Sequence, residues 1–204
     1  MSDFPLALPG ALGLELARVL DVEGKIPRAL IDLGGLTDRD VALVAPDGGL
    51  RQRQLGDAGA RIVGVDALVP PTTLEPGSMD AVVACWSGFR GVDAAEVAEA
   101  DRVLRPGGRL LVVHDYGRDD VSRLRGDLPE YGLWSRRDGP FLRGGFRVRV
   151  IHCWWTFESI DAATEFLGDA FGDAGREVAS GMRRPRLSYN VAIYHRLRDG
   201  AAPG

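Results

Sequence analysis

The sequence predicts an α/β protein whose sheet is mostly parallel and covered by helices on both faces. Two observations carry that expectation. Short apolar runs alternate with segments of helical period through most of the 204 residues, and turn residues punctuate the junctions. Strands that alternate with helices in this way pair in parallel through right-handed crossovers.

The first forty residues read as a helical lead-in. Leu12, Leu16, Val19 and Leu20 fall on one helical face, and Pro27 suits the first turn of a second helix bearing Ala29, Leu30 and Leu33. Gly34-Gly35 stops that helix. Val41 to Ala45 forms a first strand, ended by the turn residues Pro46-Asp47-Gly48-Gly49. Leu50 to Asp57 is a short helix, and Arg61 to Asp66 a buried strand with a carboxylate at its carboxyl end. Pro70-Pro71 and Pro76-Gly77 hold the next segment in a loop before the apolar strand Met79 to Trp86.

Asp93 and Glu96 have capping-box spacing ahead of a helix that buries Val97, Ala100, Val103 and Leu104, and Pro106-Gly107-Gly108 ends it. Arg109 to His114 is a strand that opens into a polar loop. Phe146, Val148 and Val150 then alternate with Arg147 and Arg149, as in a strand with one wetter face. A helix over Ile160 to Phe171 and a strand over Leu187 to Tyr194 close the chain. The expected architecture is α/β, a mostly parallel sheet with helices on both faces. Its expected divisions are a lead-in over 1–40, an α/β domain over 41–196 and a flexible tail over 197–204.

Composition narrows the function. With 45% hydrophobic and 26% charged residues, the chain can bury a core. A net charge of -4 argues against a nucleic-acid partner, which calls for a basic surface. No apolar stretch approaches the roughly 20 residues that cross a bilayer, so a cytoplasmic protein with no membrane partner is expected. Cys85 and Cys153 lie in apolar runs and read as reduced core residues, and the three histidines form no metal constellation. The arginine groups at 136–137 and 183–186 read as solvated loops. Trp154-Trp155 on an edge strand could seal a homodimer, although burial beneath the last helix is the favoured fate.

One stretch carries a resemblance. Gly77-Ser78-Met79-Asp80-Ala81-Val82-Val83, followed by a helix and then Arg102-Val103-Leu104-Arg105-Pro106-Gly107-Gly108-Arg109-Leu110-Leu111-Val112-Val113, resembles the class I S-adenosylmethionine-dependent methyltransferases. Ala58-Gly59-Ala60-Arg61-Ile62-Val63-Gly64-Val65-Asp66 is similar to that family's second strand and terminal acid, and the likeness runs from about 41 to 195. It implies a Rossmann-like, mostly parallel sheet with an antiparallel last strand, S-adenosylmethionine as cofactor, and methyl transfer to a small molecule or an accessible protein group. Two departures stand out. Of the family's three loop glycines only Gly49 remains, with Asp47 in a glycine's place, and the thirteen residues between Asp66 and Asp80 leave no room for a helix and an outer third strand. A second register makes Arg61 to Asp66 the third strand instead, though the spacing from Gly49 favours the first. The departures also support a different reading, a cofactor-free interaction or regulatory domain.

Under this resemblance the candidate cofactor-binding residues are Asp47, Gly48, Gly49, Asp66 and Trp86. Asp66 is the ribose candidate, because two carboxylate oxygens can accept from both hydroxyls of a diol. Trp86 offers a stacking face or simple core packing. For catalysis, His114, Asp115 and Tyr116 place a base, a carboxylate and a phenol in one turn. Alternation along a strand means that only His114 with Tyr116, or Asp115 alone, can face a cleft. Cys153 beside His152 is a weak nucleophile candidate because neighbours in a strand diverge. His195 reads as structural.

Overall fold

The computed structural model describes residues 4–45, 49–126, 128 and 130–198. Its elements run α1 (Gly10–Val19), α2 (Lys25–Gly34), β1 (Asp40–Val44), α3 (Leu50–Asp57), β2 (Arg61–Val65), β3 (Met79–Cys85), α4 (Ala94–Val103) and β4 (Leu104–Asp115). Then follow α5 (Asp120–Arg125), α6 (Pro140–Arg143), β5 (Arg147–Thr156), α7 (Ile160–Ser180) and β6 (Arg186–Leu197). The strands form one sheet in the order β2-β1-β3-β4-β6-β5. Its first three pairings are parallel, while β6 runs antiparallel to both β4 and β5.

Alternate side chains divide the core into two layers. Leu43, Val83, Leu111, Val113, Ile193 and Trp155 face one side, where residues of α1, α2, α3 and α7 cover them. Ala42, Val82, Leu110, Val112 and Tyr194 face the other, under α4 and the segment holding Trp134 and Phe141. The lead-in helices therefore share the main core. Chain order outward from β1 to β2, then back to β3 on the other side of β1, creates a switch in strand direction of travel. Loops diverge at such a point, opening a crevice beyond the carboxyl ends of β1 and β3.

Several elements differ from expectation, each for a physical reason. Because no outer strand follows it among the described residues, β2 is an edge strand, and Val63 is 41% exposed where burial was expected. β4 starts at Leu104, before the Pro-Gly-Gly turn, through a register irregularity opposite Met79 and Ala81. Gly108 has no space for a Cβ there, since one would lie 2.8 Å from the Arg105 carbonyl oxygen. Asp93 caps α4 by accepting from Ala95 and Glu96 backbone N–H groups, but the Glu96 carboxylate accepts from the Phe89 N–H and so braces the preceding loop. α7 continues past Phe171 by breaking at Gly172 (φ 62°, ψ -135°) and turning back on itself. Trp155 lies fully buried beneath it, whereas Trp154 on the edge strand is covered by the Arg186 guanidinium at 4.2 Å.

Candidate functional site

The crevice at the switch point is built from loop backbone held in costly conformations. Ala45 (φ 48°), Trp86 (φ 53°), Phe89 (φ 51°) and Val92 (φ 63°) all adopt left-handed geometry at the carboxyl ends of β1 and β3. For the β-branched Val92 this is a marked steric outlier. The two loops are tied together, since the Ser87 hydroxyl lies 3.1 Å from the Val44 carbonyl oxygen. Gly49 (φ 60°) caps α3 at the end of the first loop. Asp47 and Gly48, the other two candidates there, lie outside the described residues.

Asp66 follows β2 directly and is exposed, with no hydrogen bond or ion pair among the described residues. Next to it in the chain, Leu68, Val69 and Pro70 form one wall of a groove of about 470 Å³, with Gly88, Arg90 and Glu96 opposite. On the other layer, Arg51 projects from the first turn of α3 into the core and is only 1% exposed. Its NH1 donates to Gln54 at 2.6 Å, its guanidinium lies 5.7 Å from the centre of the Trp86 ring, and its Nε and NH2 have no hydrogen-bond partner among the described residues. A buried cation with two unmet donors is expensive, so this position has the chemistry to receive an acceptor group.

Trp86 is buried, and its indole N–H donates to Asp115 at 2.9 Å. Asp115 also accepts from the Tyr189 hydroxyl and from Arg125, so three donors converge on its two oxygens. Burial raises the Asp115 carboxyl, while Arg125, Tyr189 and Trp86 pull it back. With three donors aimed at it, the group serves as an acceptor and holds Trp86 in place.

His114 points to the opposite layer, as strand alternation requires. It is 1% exposed, packed edge-on against Trp134 at 4.9 Å and beside Phe141 at 6.2 Å. Burial, with a smaller push from Arg90, lowers its pKa to about 3. The imidazole is thus neutral and enclosed, bonded to the Gly88 backbone, with Nε2 unpartnered among the described residues. Tyr116 is the one member of the trio that keeps partial exposure, with Arg118 5.9 Å from its ring centre. The structure does not gather His114, Asp115 and Tyr116 at one surface.

Both cysteines are buried. Burial pushes the Cys153 thiol up, and its Sγ donates to the Tyr189 carbonyl oxygen at 3.2 Å. Arg51, Arg125 and Tyr189 escaped sequence reading. Arginine in a short polar helix carries no signal of burial, and Arg125 and Tyr189 meet Asp115 only through tertiary packing. No group of His, Cys, Asp and Glu among the described residues could hold a metal, and no helix there is long and apolar enough to cross a membrane.

No protein-family model matches the sequence, and no curated protein matches it as a relative. Solved structures do match. A proposed methyltransferase from an antibiotic biosynthesis pathway of Anabaena variabilis is 16% identical, with a TM-score of 0.55 over 89% of this chain and 99% of its own. A proposed type II methyltransferase from Anaeromyxobacter dehalogenans is 20% identical, with a TM-score of 0.53 over 86% of this chain and 97% of its own. At these identities the likeness establishes the architecture: the chain has the mixed α/β, Rossmann-like fold of methyltransferase structures.

Proposed function

We propose that the chain is an S-adenosylmethionine-dependent methyltransferase acting on a small molecule or an accessible protein group. The observation that carries this reading is the exposed carboxylate of Asp66 at the carboxyl end of β2, without a hydrogen bond or ion pair among the described residues and two positions before the Leu68 wall of the groove. The donor set fits the cofactor. Asp66 would accept from the two ribose hydroxyls, and the turn containing Asp47, Gly48 and Gly49 would let backbone approach the amino-acid moiety. The unmet Nε and NH2 of Arg51, two residues into α3, suit a carboxylate. Trp86, held by Asp115, would form the inner wall of the crevice.

When bound, the cofactor supplies an electrophilic methyl group, so the protein has chiefly to align an acceptor and exclude water. Tyr116 is the candidate for hydrogen bonding to that acceptor, because it alone of its trio is partly exposed. His114 and Asp115 then act through the structure, His114 as a neutral core residue and Asp115 as the anchor of Trp86.

Calorimetric titration with S-adenosylmethionine and its demethylated product tests the reading. Dissociation constants between about 1 μM and about 1 mM are expected, and Asp66→Ala should weaken them by roughly 1–3 kcal/mol. The enclosure of His114 and Asp115 and the single remaining loop glycine favour a second reading, a methyltransferase-like interaction or regulatory domain without cofactor. Absence of binding by either compound at millimolar concentration selects that second reading.

A further inference from the structure

The rim opposite the crevice carries a basic cluster with no part in methyl transfer. There β4, β6 and β5 lie side by side, and their register sets Leu111 against His195, Arg109 against Leu197, and His195 against Arg147. Arg109, His195, Arg147 and Arg149 share the parity of Leu111, Ile193 and Ile151, so all four stand on one face of the sheet. Neighbouring-strand side chains on one face are about 5 Å apart at Cβ. Further along β5 that face is sealed by Cys153 and Trp155 beneath α7, but at this end Arg147 and Arg149 are exposed.

A depression of about 380 Å³ opens there between Arg109, Arg147, His195 and Arg196, with Gly144 and Gly145 at its lip. Among the described residues Arg109, Arg147 and Arg149 form no ion pair, and the charged groups that bear on His195 are those three arginines. Arg196, on the opposite face of β6, donates to Asp101 at 2.6 Å, and its Nε is buried without a partner among the described residues. A chain of net charge -4 has thus set Arg109, Arg147 and His195 at the lining of one hollow, with Arg149 next along the same face of β5, and among the described residues none of these three guanidiniums is ion-paired. Like charges facing each other across strands are unfavourable unless an anion joins them. Guanidinium forks match the oxygens of a tetrahedral, doubly charged group, and the hollow has the size for a small ligand rather than a polymer.

We propose that Arg109, Arg147, Arg149 and His195 form a binding site for a phosphate group, either free or borne by a small molecule. The site is independent of the methyltransferase reading, since it occupies the other end of the sheet.

His195 is its own reporter. Burial and the three arginines hold its pKa below the ordinary histidine value, and a bound dianion would reverse the electrostatic part. The test is an NMR titration of the histidine ring protons at fixed ionic strength, in chloride, in about 10 mM inorganic phosphate, and in about 10 mM glucose 6-phosphate. His152, whose Nδ1 lies 2.7 Å from Asn190 Oδ1 on the other face, is the internal control. The His195 midpoint is expected to rise by about one unit with phosphate while His152 stays put, and the rise should vanish in the surface double variant Arg147→Ala/Arg149→Ala. A larger rise with the sugar phosphate assigns the site to phosphate carried on a small molecule, and an equal rise to the free ion. No rise at His195, an equal shift at His152, or a rise that persists in the double variant overturns the proposal.

Discussion

Trp86 and Asp115 join the ends of β3 and β4 through a buried hydrogen bond of 2.9 Å between the indole Nε1 and a carboxylate oxygen. The same carboxylate takes Tyr189 from β6 and Arg125 from α5, and Arg125 goes on to donate to the Pro5 carbonyl oxygen at 3.0 Å. One acid therefore couples two strand ends, a helix and the amino-terminal segment. Such a group matters less for its net energy than for what its loss exposes, because each partner would be left buried with an unmet donor.

Asp115→Ala should accordingly cost about 3–5 kcal/mol in urea unfolding, chiefly through the stranded Arg125 charge. Adding Arg125→Met to that variant is expected to recover part of the loss, since it removes the uncompensated cation. Equal stability of the single and double variants would show that Arg125 finds water instead.

His114 gives the protein an acid-sensitive core. Its ring titrates near 3 when folded and near 6.5 when unfolded, so between those values the unfolded chain holds a proton that the native state lacks. Acidification therefore favours unfolding. The stability contributed by the neutral ring is complete above pH 6.5 and falls by about 1.4 kcal/mol per unit as the pH drops toward 3. Comparing urea midpoints of the wild type and His114→Gln from pH 7 to 4 should show the wild type losing stability more steeply. Parallel curves would place the ring in contact with solvent.

The cysteines should be inert in the native state. Cys153 is buried with its thiol pushed up, and Cys85 is fully enclosed, so neither is open to a reagent in the folded protein. Alkylation by iodoacetamide is expected only at the rate of global unfolding, with both residues labelled together. Fast labelling of Cys153 alone would return it to consideration as a nucleophile.

The turn within α7 should depend on Gly175. A Cβ at that position would overlap the Leu167 carbonyl oxygen, so the two limbs of the helix cannot pack with anything larger. Gly175→Ala should destabilise by about 3 kcal/mol or more, whereas Gly181→Ala, with its nearest contact at 3.7 Å, should stay within about 0.5 kcal/mol. Thermal melts of the two variants decide the comparison.

Much of the fold was legible in the residues themselves. α3 spans Leu50–Asp57 as read from the turn residues on either side, Gly35 caps α2 in left-handed geometry (φ 58°), and Asp93 caps α4 through its side chain. These are local signals, set within a few residues by backbone sterics and hydrogen-bond demand, so one segment of sequence suffices to express them. The shortened stretch between Asp66 and Asp80 likewise indicates a missing outer strand, since thirteen residues with four prolines or glycines hold no crossover.

The site was another matter. Sequence placed Asp66 at a strand end and allowed His114 and Asp115 to point opposite ways, but not which of them would be reachable. That was decided by Trp134 and Phe141 closing over one face and by Tyr189 and Arg125 closing over the other, contacts made by residues ten to seventy-four positions apart. The burial of Arg51 and the gathering of Arg109, Arg147, Arg149 and His195 at one rim come from strand order and register in the same way. Periodicity tells a side chain which way to face. Only the folded chain determines what it meets there, and for a charged or titratable group that company decides its chemistry.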